Sequence, residues 1–112
     1  MTVYRNIFAE TGWRGQEPGW PRVQEEFATD APEPFKVLLA DYSYEDYSGD
    51  AIVLWQEADG RIGYVSGGHC SCHGLEGQWD PEIHTADEIR QMIERGHYDL
   101  SRNRALIEPL LP

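Results

Sequence analysis

Positive charge is what this chain has least of. Nine lysines and arginines stand against 20 aspartates and glutamates in 112 residues, a formal net charge of −11. Such a surface repels a phosphate backbone and gains nothing from counterion release, which argues against direct nucleic-acid binding; the same charge would suit a basic protein partner, or serve only to keep a small protein soluble. Cysteine is also scarce: Cys70 and Cys72 are the only two, with Ser71 between them. A bridge across one residue closes a tiny loop and removes little chain entropy, so the pair cannot be the framework of a disulfide-built secreted fold. Reduced thiols or metal ligands are the expected states. No apolar run is long enough for a signal peptide or a bilayer span, so the sequence predicts a cytoplasmic protein with no membrane contact. Internal repeats and low-complexity tracts are missing too.

What is present is enough apolar material to fold. Hydrophobic residues make up 40% of the chain and aromatics 12%, four of them tryptophan, which is too apolar for a disordered acidic segment. The length suits a single domain, with residues 1–20 as a loop-rich N-terminal arm and 21–112 as the core. Within the arm, MTVYRNIF permits a short strand, and ETGWRGQEPGW reads as a loop carrying Trp13 and Trp20.

Pro21 suits a first helical turn, and Val23, Phe27 and Ala28 recur at helical spacing, so a short amphipathic helix is predicted before the breakers Pro32 and Pro34. The run 35–42, FKVLLADY, has strand length and composition. Residues 42–50, YSYEDYSGD, read as a solvent-facing loop. Strands at 51–57 and 61–66 follow, joined by Ala58-Asp59-Gly60, a strong hairpin signal. Thr85 and Glu88 fit a capping box, Ala86, Ile89, Met92 and Ile93 share one helical face, and Gly96 is placed to end that helix. A last segment, 100–111, allows a turn or two of helix before Pro109. The elements together predict an α+β fold: a small antiparallel sheet of about three or four strands around a central hairpin, with two or three short helices on one face.

Unusual chemistry is concentrated at 67–82, GGHCSCHGLEGQWDPE. Zinc is one reading, with Cys70, Cys72, His73 and His84 as the most coherent tetrahedral set, although a Cys-x-Cys start is tighter than the usual structural zinc spacing. A nucleophilic thiol activated by a histidine is a second, making the chain a thiol-dependent enzyme; no third orienting group can be assigned and the acidic surroundings disfavour a thiolate. The third is purely structural: small buried cysteines, histidines bonded to local carbonyls, and Trp79 plugging the core. A separate candidate is the tyrosine and acid loop, where Tyr42, Tyr44, Glu45, Asp46 and Tyr47 offer contact area and carboxylates to a basic protein.

The run from Asp41 to Glu82, and above all His69-Cys70-Ser71-Cys72 with Gly74-Leu75-Glu76 and Gln78-Trp79, resembles a family of small uncharacterised proteins encoded by bacteriophages and prophages. The resemblance implies action inside a bacterial host cell and supplies no activity. Small acidic proteins of that origin commonly bind a host protein. The expectation is therefore a non-enzymatic protein-binding module, with a zinc-stabilised domain and a thiol enzyme as alternatives.

Overall fold

A computed structural model describes residues 2–12, 14–43, 48–70 and 73–112. Its centre is a five-stranded mixed sheet in the order β1 (Val3–Asn6), β2 (Lys36–Tyr42), β3 (Ser48–Gln56), β4 (Ile62–Cys70) and β5 (Glu82–His84). The strands from β2 to β5 run antiparallel to one another, whereas β1 lies parallel to β2, with Val3 across from Leu39. A parallel neighbour needs a long crossover, and the chain between them supplies it with α1 (Trp20–Phe27). The fold is α+β as expected, but the sheet has five strands where three or four were expected and is mixed rather than antiparallel; β1 forms where the arm permitted a short strand, and β5 was not foreseen.

The hairpin forms where Asp59-Gly60 places it. Gly60 takes φ +92°, and the Asp59 carboxylate accepts the Arg61 backbone N–H at 3.0 Å and its Nε at 2.8 Å. Its strands are longer than their apolar runs, because Ser48–Asp50 and Gly67–Cys70 also pair. Gly49 and Gly67 are strand residues here, each beneath a neighbour that leaves no space for a side chain. A Cβ on Gly67 would lie 2.8 Å from Gln78 Oε1, and one on Gly49 would lie 2.0 Å from the Ser43 carbonyl oxygen.

Helices cover both faces, not one. On the first face Phe8, Trp20, Val23 and Phe27 pack against Val37, Ala40, Val53, Trp55 and Val65. On the second, Ile89 and Ile93 of α2 (Ala86–Glu94), Leu100 of α3 (Tyr98–Arg102) and Ile107 of α4 (Arg104–Ile107) meet Leu38, Leu39, Ile52, Leu54 and Ile62. One-residue alternation cannot send Leu38 and Leu39 to the same face. A register shift between Val37 and Leu39 does so, inserting Leu38 as a bulge and returning Ala40 to the first face.

The cap of α2 is as read. Thr85 accepts the Glu88 backbone N–H at 3.1 Å, and the Glu88 carboxylate accepts that of Thr85 at 2.7 Å. These bonds hold the Glu88 carboxyl below its ordinary range. The second face is tied to α3 by Tyr64, whose buried hydroxyl lies 3.2 Å from both Ser66 Oγ and Asp99 Oδ2. Burial, with the Asp99 charge adding to it, pushes its phenol up to about 12.

A raised folded pKa means that the native state prefers the neutral phenol, so this stabilisation is complete below about pH 10 and is lost as pH climbs toward 12. We expect the melting temperature to fall over that window, and to fall less steeply in Tyr64→Phe. Equal slopes in the two proteins would remove Tyr64 from the cause. Tyr4, also raised to about 12, keeps the variant from going flat.

Among the described residues no helix is long and apolar enough to cross a membrane.

Candidate functional site

Among the described residues, those singled out for metal or thiol chemistry do not converge. Cys70 ends β4 and is disulfide-bonded, so in this state it offers neither a thiolate ligand nor a nucleophile. That also corrects the expectation of a reduced thiol at this position. Cys72 lies outside the described residues. His73 is exposed, with Nδ1 3.0 Å from the Gly74 carbonyl, and its own carbonyl accepts the Cys70 N–H at 2.9 Å. His84 is far away. It sits on β5 opposite Ile62, eight residues along β4 from Cys70, or roughly 26 Å at the usual strand rise. Its Nε2 faces Glu82 Oε1 at 3.1 Å. Cys70, His73 and His84 therefore cannot share one ion, and no group of three potential ligands for a metal occurs among the described residues.

The remaining histidine of the stretch has a structural position. His69 is buried, stacks on Tyr42 at 4.0 Å between ring centres, and donates from Nε2 to the Ser43 carbonyl at 2.6 Å. Tyr42 is consequently not the exposed contact residue that the tyrosine loop suggested: it is buried, and its ring also meets that of Phe8 in a T-shaped pair. Tyr44, Glu45, Asp46 and Tyr47 lie outside the described residues.

The Gly-Leu-Glu-x-Gln-Trp run also explains itself as architecture. Leu75 is buried on the first face, and Gly77 takes φ +79° to turn the chain. The Gln78 side chain then acts as a substitute strand against the end of β4. Its Oε1 accepts the Gly68 N–H at 2.8 Å, and its Nε2 donates to the carbonyls of Gly68 at 2.7 Å and Gly74 at 2.9 Å. An open strand edge is thereby covered beyond the short β5. Trp79 follows and stacks on Trp55 at 5.6 Å and 11°, while Trp20 meets both rings edge-on.

These three tryptophans border the feature with the most binding character, a groove of about 440 Å³ on the first face. One wall is the connector between α1 and β2, where Pro32 and Pro34 lead to Phe35; the other is Pro81 and Ile83. Phe35 is 73% exposed and Ile83 39%, and with Tyr98 they are the large hydrophobic side chains left exposed among the described residues. Two of these three therefore stand on one groove, which is the pattern expected of a contact surface rather than of scattered exposure. Glu33 and Glu57 add negative charge at its border. A larger depression of about 820 Å³ beside α1 is bordered mainly by polar groups such as Arg14, Gln16, Gln24 and Glu25, and offers no comparable apolar floor.

Sequence reasoning missed the groove because it placed Phe35 inside a strand and gave 82–84 no strand at all. The available signal was Pro32-Glu33-Pro34: an extended, donor-poor connector directly before an aromatic residue.

Comparison of the chain with family models, curated proteins and solved structures finds no match.

Proposed function

We propose that the chain is a non-enzymatic binding module that engages a basic protein through the tryptophan-floored groove on the first face. The observation that carries this is that Phe35 and Ile83, both solvent-exposed, border one groove with buried Trp55 and Trp20, and with Glu33 and Glu57 alongside. Apolar anchors with carboxylates at the border suit a partner presenting an apolar side chain next to lysine or arginine, and the net charge of −11 would speed that encounter at low salt. The resemblance to phage-encoded proteins supports a partner in the cytoplasm of a bacterial host.

The test is a photo-reactive residue at position 35, used to capture the partner from bacterial lysate, followed by titration of the purified partner. Phe35→Glu combined with Ile83→Glu is expected to weaken binding about 100-fold, equivalent to about 2.8 kcal/mol, without moving the melting temperature. Tyr98→Glu, the same change on the opposite face, is expected to leave affinity intact. If the double variant binds as wild type does, the groove is not the interface.

A further inference from the structure

Resting on that reading of the groove, we propose that its occupant is a proline-rich segment in extended polyproline form with an arginine or lysine at one end. Size is the first argument. From the β2 side at Phe35 to β5 at Ile83 the groove crosses three strand spacings, about 14 Å, because Lys36 pairs with Gln56, Gln56 with Ile62 and Ile62 with His84. That length takes four or five residues of polyproline helix at about 3.1 Å each. An α-helix, whose cylinder with side chains is about 10–12 Å across, could lay only one face on so short a groove.

Hydrogen bonding decides between the extended forms. A β-strand added to this surface would need a ladder of backbone partners, and Pro32, Pro34 and Pro81 along the walls have no N–H to give. A polyproline segment has no internal or ladder hydrogen bonds to satisfy and leaves its backbone to water, so a donor-poor wall costs it little. The few donors it can use are indoles. Trp20 donates its N–H to the Ala31 carbonyl at 2.9 Å, whereas those of Trp55 and Trp79 have no acceptor among the described residues. Aromatic rings also stack well on the flat faces of proline, and Glu33 and Glu57 fix the end at which a basic residue sits.

The experiment is an intrinsic tryptophan fluorescence titration with four synthetic decapeptides. The first carries five prolines, two leucines and a terminal arginine pair. The second replaces the prolines by alanine, the third replaces the arginines by glutamate, and the fourth is an alternating lysine–valine strand-former. Saturable binding of the first is expected, with at least tenfold weaker binding of each of the others, and Phe35→Glu should abolish it while leaving the melting curve unchanged. Equal affinity for the first and second, or preference for the strand-former, overturns the polyproline inference yet leaves a basic-protein groove standing. Absence of saturable binding by the first peptide overturns it as well, and the captured partner then decides separately whether the groove binds protein at all.

Discussion

Gly63→Ala is expected to destabilise the protein by about 3 kcal/mol, although it adds a single methyl group to a strand. Gly63 lies directly across from Trp55 in the β3–β4 pair. A Cβ there would fall 2.0 Å from Trp55 Cε2, 2.2 Å from Nε1 and 2.4 Å from Cζ2, well inside contact distance. The indole covers the bare glycine backbone, so the ring and not the methyl has to move. It is not free to do so, since Trp79 stacks on one face and Trp20 abuts it edge-on. Overpacking alone costs about 1–3 kcal/mol, and disturbed aromatic pairs about 0.5–1.5 kcal/mol each. Urea unfolding gives the magnitude, and near-ultraviolet circular dichroism shows whether the tryptophans reorient. A midpoint within error of wild type would mean that Trp55 has room which the geometry does not show.

Gln78→Glu is expected to cost about 2–3 kcal/mol at neutral pH, a large effect for a substitution that conserves shape. The amide nitrogen donates to two carbonyl oxygens, of Gly68 and Gly74, so a carboxylate oxygen in its place faces both with no proton to share. The bond accepted from the Gly68 N–H survives, which separates this variant from a simple truncation. The new carboxyl should have a raised folded pKa, because the neutral form can donate to one of the carbonyls. The deficit relative to wild type should therefore shrink as pH falls through that raised value, and be greatest above it. Chemical denaturation of both proteins at several pH values checks this. A deficit that is constant with pH would show that Gln78 does not make these bonds in solution.

Local signals were legible where the backbone states its own geometry. Asp59-Gly60 set the hairpin turn, Pro21 fell in the first turn of α1, and the Thr85 and Glu88 pair marked the start of α2 to the residue. Long-range packing was not legible. Gly49 and Gly67 carry the same local signature as loop glycines, and what keeps them in strands is the tertiary position of Ser43 and Gln78. The four-residue strand Val3–Asn6 could not be assigned a partner from its own pattern, since its register is set against β2 more than thirty residues away. The candidate metal set failed for a related reason: proximity in sequence between His73 and His84 hides the reversal at 74–81, which carries the second histidine back to the far end of β4. Tyr42 looked like a loop residue because its partners, Phe8 and His69, come from distant parts of the chain.

The order of strands in space has a consequence for synthesis. From β2 onward each strand lies beside its predecessor in the chain, so the meander can zip up as it leaves the ribosome, one short closure at a time. The first strand cannot join in this way, because Val3 has nothing to pair with until Leu39 has been made. Val3, Ile7 and Phe8 thus leave the ribosome before the strand that shelters them, and in a nascent chain they are a natural handle for a chaperone.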